Sequence, residues 1–203
     1  MNKTTRPLDN DEVIGLISTI KSGYITIDEN TKKIIKRRGN DKIAFALYLE
    51  SVLGIRISDI LNLSLSSFQK RNGEMYIVIK EKKTKKQRVF VVPDNVYSSI
   101  LDYCLTHTIS DREEKLFKFG ARAVQKSIEN ACQYLRLVDG SISTHSFRKY
   151  FATTCYNNSN NNLLLCQQLL QHYSAQTTQK YININSQEVK NVLNSVSFNL
   201  KID

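Results

Sequence analysis

The chain has 203 residues, 41% of them hydrophobic, which fits one domain, or one domain with a small appendage, able to bury a sizeable core. Its formal net charge of +10 favours a polyanionic partner, nucleic acid before a membrane surface, although a solvated basic surface would carry the same charge. No apolar run approaches the length of a membrane span, and the N-terminal stretch MNKTTRPLDNDE has no apolar signal region, so a soluble cytoplasmic protein with no membrane partner is expected.

Asp9 or Asn10 is positioned to cap a first helix over 11–21, whose apolar set is Val13, Ile14, Leu16, Ile17 and Ile20. Residues 22–40 hold a β-like stretch, YITI, and the basic run KKIIKRR at 32–38; they read as a hairpin or an irregular insertion. DKIAFALYLESVL at 41–53 is apolar on most faces, as a buried helix would be. Ser58 is a candidate cap for a short helix that turns Ile60, Leu61, Leu63 and Leu65 inward. Asn72-Gly73 signals a hairpin turn, and MYIVI (75–79) and RVFVV (88–92) read as strands flanking a loop with four lysines.

Val124, Ile128, Ala131, Cys132 and Leu135 recur at helical spacing within 121–138. Further helices are expected at 145–157, 161–170 and 175–184, and a last one at about 186–197. The fold class is α+β, mostly helical, with one small antiparallel sheet. Cys104, Cys132, Cys155 and Cys166 form no CxxC and no metal-ligand spacing with histidine, so they read as reduced, half-buried or core residues.

Four places carry chemistry-bearing residues. In GIRISDIL (54–61), Arg56 follows one apolar helix and opens another, and Asp59 lies three residues on, close enough to orient it. An arginine so placed suits a phosphate, because its planar fork donates two parallel hydrogen bonds and stays charged. The hairpin loop holds Lys82, Lys83, Lys85 and Lys86, suited to a DNA groove or to giving a proton to a leaving alkoxide.

In THSFRKYFATTC (144–155), His145 and Arg148 stand one turn apart near a helix start that Thr144 is positioned to cap, and anions are favoured there. In LLQHYSAQTTQKYI (169–182), Tyr181 follows His172 by nine residues. A tyrosine is a weak nucleophile near neutral pH, with an unperturbed pKa of about 10. Surrounding cations favour its charged form. Taken singly, each place reads at least as well as structure: an Arg–Asp pair, a solvated charge run, a core histidine, a packing tyrosine.

Taken together, the series GIRISDIL, KKTKK, HSFR and LLQHYSAQTTQKY resembles the tyrosine recombinase (phage integrase) family. The resemblance runs from about residue 41 to 185. It implies that Arg56 and Arg148 hold a scissile phosphate, and that His145 and His172 bond its oxygens and help move protons. Lys83 would be the leaving-group acid, with Lys82 or Lys85 as substitutes, Asp59 a supporting residue and Tyr181 the nucleophile. Gln171 stands where the family usually has glycine, and Phe147 where leucine is common.

The resemblance implies double-stranded DNA as partner and an ATP-independent reaction. No metal or cofactor is expected, because arginines supply the positive charge and no carboxylate cluster suits Mg²⁺. It also implies a homotetramer on synapsed DNA, with a monomer or weak dimer when free. Residues 41–203 would be the catalytic domain. Residues 1–40 would be part of the same domain or a reduced DNA clamp, as in short members resembling fimbrial phase-variation invertases. The run Lys32, Lys33, Lys36, Arg37 and Arg38 is the candidate for that clamp, and Lys82, Lys85 and Lys86 for further DNA contacts. The rival readings are a type IB topoisomerase-like enzyme and a non-catalytic DNA-binding regulator. The tail with Val189, Val192, Leu193, Val196 and Phe198 would dock on its own domain or on a neighbour's.

Overall fold

The computed structural model describes residues 5–27, 31–80, 82, 85–137, 140–160, 163–170, 190–191 and 193–196. Helix α1 (Asn10–Ser22) starts at Asp9, whose carboxylate accepts the Glu12 N–H at 2.8 Å while the Glu12 carboxylate accepts the Asp9 N–H at 3.0 Å. This reciprocal cap satisfies two backbone donors that the first helical turn leaves open. Val13, Leu16, Ile17 and Ile20 are buried, as their spacing requires.

Helix α2 (Asp41–Leu53) is the centre of the molecule: every residue from Ile43 to Leu53 except Phe45 is buried. It packs between α1 on one side and α6 (Thr144–Asn158) on the other, while α5 (Ala121–Tyr134) covers α1 and α7 (Leu163–Leu170) covers α6. A helix apolar on all faces needs such enclosure, since any solvent-facing side would leave apolar area in water.

Between α1 and α2 the chain makes an antiparallel pair, β1 (Gly23–Ile27) with β2 (Ile34–Arg38), so the region read as a hairpin or an insertion is a hairpin. A second sheet has strand order β3-β4-β5, from β3 (Phe68–Arg71), β4 (Glu74–Lys80) and β5 (Gln87–Val92). Asn72 and Gly73 join β3 to β4 with φ of 49° and 84°, the two left-handed residues that a tight hairpin needs. The fold class is thus α+β and mostly helical, with two small antiparallel sheets among the described residues where one was expected.

Other boundaries moved for physical reasons. Ser143, not Thr144, caps α6: its hydroxyl accepts the His145 N–H, and Ser146 closes the reciprocal bond. The short helix α3 (Ile57–Ile60) begins at Arg56, which makes no side-chain cap, so Ser58 is inside the helix. Helix α5 stops at Tyr134 because Arg136 takes a left-handed φ of 55°. Helix α4 (Asp94–Thr106), which follows Pro93, was not anticipated. Leu193 and Val196 are fully buried against the chain's own core, and Asn158 donates to the Ser195 hydroxyl at 2.8 Å, so this part of the tail docks in cis. The expected helix 175–184 and the tail residues Val189, Val192 and Phe198 lie outside the described residues.

All four cysteines are free thiols, and burial pushes those of Cys155 and Cys166 up from their ordinary values. No helix among the described residues is long and apolar enough to cross a membrane.

Candidate nucleic-acid cleavage site

The turn that carries Arg56 begins at Gly54, the residue after the end of α2. Gly54 has a left-handed φ of 58°, and a Cβ on it would lie 2.2 Å from Cδ1 of Phe151. Only glycine therefore lets the chain reverse there while pressed against α6. Phe151 is one turn beyond Arg148 on α6, so one close contact sets the Arg56 turn against the helix that holds Arg148.

Below that turn lies Glu50, fully buried, whose Oε1 accepts the Ile57 N–H at 3.0 Å. Burial holds the Glu50 carboxyl well above the usual carboxylate range; the Ile57 N–H and the nearby Arg148 guanidinium pull it partly back. Arg148 is itself 6% exposed, and its Nη2 donates to the Leu170 carbonyl at 2.6 Å. A guanidinium at the C-terminal carbonyls of α7 is favourably placed, because the helix dipole puts negative partial charge there.

Asp59, on α3, is buried, and its Oδ1 accepts the backbone N–H of Lys82 at 2.8 Å. That bond fastens the stem of the lysine loop to the Arg56 segment. Asp59, Lys80, Lys82 and Lys85 line an open groove of about 640 Å³. Lys82, Lys85 and Lys86 are exposed, and Lys85 has a left-handed φ of 60°.

Of the sequence-derived residues, Arg56, Asp59, Lys82 and Arg148 lie on segments that pack together. Arg56 is half-buried and Arg148 buried, while His145 is exposed at the first turn of α6, so the two residues of HSFR lie at different depths. The histidine is thus no core residue. Lys83, His172 and Tyr181 lie outside the described residues. The cations Lys32, Lys33, Lys36, Arg37 and Arg38 are all exposed on or beside β2. That hairpin leans on α5 through a Tyr24–Tyr134 stack with ring centroids 4.2 Å apart.

Two buried charged residues escaped the sequence reading. Glu50 is the one acid after Asp41 in the apolar run DKIAFALYLESVL, a signal in itself. Arg88 is the other, 2% exposed on β5; its signal is the period-two register it shares with Phe90 and Val92. Among the described residues no group of three or more His, Cys, Asp or Glu side chains is placed to hold a metal ion.

Residues 8–188 match the model of the phage integrase family. The chain is 24% identical over 183 residues to tyrosine recombinase XerC of Caldanaerobacter subterraneus subsp. tengcongensis, covering 84% of this chain and 50% of that protein. Its fold is similar to that of the XerH site-specific recombinase bound to difH substrate, with a TM-score of 0.61, 20% identity, and coverage of 92% of this chain and 53% of that one. It is also similar to the lambda integrase catalytic core, with a TM-score of 0.59, 15% identity, and coverage of 83% and 96%. The chain spans about half the length of the XerC protein it matches. With a family model matched over most of its length and integrase catalytic cores sharing its fold, the chain belongs to the phage integrase family.

Proposed function

We propose that the chain is a site-specific tyrosine recombinase that cuts and rejoins double-stranded DNA in the cytoplasm, with integration, excision or inversion as the outcome. Tyr181 attacks a phosphodiester phosphorus in line. The P–O bond to the 5′ oxygen breaks, leaving a 3′-phosphotyrosine, and the departing oxygen takes a proton from Lys83 to become a 5′-hydroxyl. Arg56 and Arg148 bond the phosphoryl oxygens, whose negative charge grows in the transition state. His145 and His172 bond the same oxygens and help move the one proton that Tyr181 loses on attack. Attack by a 5′-hydroxyl from a second duplex reverses these steps and joins new partners without ATP.

The observation that best supports this reading is the bond from the Lys82 N–H to Asp59 at 2.8 Å, since it joins two separate sequence segments at one groove. The exposed His145 beside the buried Arg148 also suits a phosphate approaching from solvent. Lys82, Lys85 and Lys86 then touch the DNA backbone near the cut. The α1 apolar face lies in the same core as α2, which supports counting this N-terminal helix with the catalytic domain, the β1–β2 hairpin projecting as a reduced clamp. Exchange between two duplexes breaks two strands in each, so the assembly on synapsed DNA is a homotetramer that forms from monomers or weak dimers.

A nicked suicide duplex, from which the cleaved product cannot religate, tests the scheme. The wild-type chain forms a covalent band on a denaturing gel, and Tyr181→Phe binds the DNA but forms none. A covalent band in the variant, or none in the wild type on its target DNA, overturns the reading.

A further inference from the structure

The scheme above leaves Arg88 unused, although it is the least exposed arginine among the described residues, at 2%. Its Cζ lies 4.7 Å from the Phe90 ring centroid. Nη1 donates to the Gly54 carbonyl at 3.4 Å, and Nη2 donates to the Leu169 carbonyl. One guanidinium therefore touches both the C-cap of α2 and the last turn of α7. Gly54 stands two residues before Arg56, and the next carbonyl after Leu169, that of Leu170, accepts Arg148.

Burying an arginine is costly unless its donors are met, and an apolar residue in the same register of β5 would pack without that cost. What only the guanidinium supplies is two donors at a fixed spacing in one plane. Both partners are carbonyls at helix C-termini, where a cation is favoured. The side chain thus holds two helix ends at a set separation, and it does so from a third element, the sheet whose loop carries the lysines.

We propose that Arg88 is a positioning residue: a rigid clasp that fixes the Arg56 turn relative to the end of α7, and so relative to the carbonyls beside Arg148. Its effect on cleavage rests on the recombinase reading, while the clasp itself does not. Arg88 touches no reacting atom. It acts through the segments on either side of it.

Arg88→Lys and Arg88→Met in the full chain test this. Lysine keeps the charge but is a single point, so it reaches one carbonyl and cannot span both. The first readout is amide hydrogen exchange. Segments 54–57 and 163–170 lose protection together in Arg88→Lys, while α1 and α5 exchange as in the wild type. The second is single-turnover cleavage. The rate from the bound complex falls by tens to a hundredfold, the size expected for a misplacement of about 1 Å, with the DNA affinity unchanged.

Wild-type cleavage by Arg88→Lys, or loss of protection in only one of the two segments, would reduce Arg88 to a packing residue. So would failure of both variants to fold. A wild-type chain that makes no covalent product sinks the recombinase reading instead, and the paired exchange then decides the clasp alone.

Discussion

Asp59 Oδ1 accepts the backbone N–H of Lys82 at 2.8 Å, a bond between the helix that follows Arg56 and the loop between β4 and β5. A carboxylate that holds a loop by its main chain fixes where the loop starts while leaving its side chains open. Asp59→Ala removes a buried acceptor and leaves the Lys82 N–H unmet, at a cost of about 1–3 kcal/mol. The expected outcome is a loss of that size in urea unfolding, with cleavage slowed more than DNA binding is weakened. Asp59→Asn keeps an acceptor oxygen for the Lys82 N–H and retains most of the cleavage rate. Equal damage from both substitutions would mean that the charge matters rather than the bond.

Glu50 gives a pH dependence with a definite sign. Its carboxyl titrates well above the ordinary value of 4.5 in the folded chain, chiefly because it is desolvated. A group with a raised folded pKa contributes stability at low pH that is lost as pH climbs through its folded pKa. Glu50→Gln keeps an oxygen to accept the Ile57 N–H and has no charge to bury. The variant therefore matches the wild type near the unfolded pKa and becomes progressively more stable than it as pH rises. Thermal melting at a series of pH values reads this directly. A stability difference that stays flat with pH would show that Glu50 is ionised throughout, held by Arg148.

Much of the architecture was legible because the strongest signals are local. The all-round apolar pattern of α2 gave its bounds to the residue, and Asn72-Gly73 marked its hairpin. Helix α4 was missed because its buried set, Val96, Ile100, Tyr103 and Cys104, is sparse and mixed with polar residues. Strand β3 was missed because FQKR carries one apolar residue, and pairing with β4 makes the strand. The depth difference between His145 and Arg148 was invisible, since a spacing of three residues gives the face but not how far α7 covers it. Glu50 and Arg88 went unread for a related reason: their partners are backbone groups of distant segments, which leave no mark in a sequence.

Gly54→Ala should be costly twice over. A left-handed φ of 58° penalises any Cβ, and this Cβ would lie 2.2 Å from the Phe151 ring. Together, backbone strain and overpacking should cost at least about 2 kcal/mol. Phe151→Leu in the same chain makes room without relieving the backbone. The double variant is therefore expected to be more stable than the sum of the single losses requires, as residues in contact behave. Urea unfolding of the four proteins closes that cycle. Strict additivity would show that the α2–α6 contact does not depend on this pair.

The hairpin prediction turns on salt. Lys32, Lys33, Lys36, Arg37 and Arg38 are all exposed, and Lys36 and Arg38 share a strand face with Ile25, Ile27 and Ile34, each at least 60% exposed. A face that mixes cations with uncovered isoleucines is dear to leave in water, and a DNA groove offers it phosphates and sugar edges together. Each cation that meets a phosphate steepens the fall of log K with log salt by about 0.9 on duplex DNA. Replacing Lys36 and Arg38 by glutamine should therefore flatten that slope by nearly two such steps, whereas the same change at Lys82 and Lys85 should flatten it and also slow cleavage. Cleavage by the hairpin variant, measured once its DNA is saturated, should stay at the wild-type rate. A slope unchanged by the Lys36 and Arg38 substitutions would mean that the hairpin meets solvent or another protein surface, and that any DNA is held elsewhere on the chain.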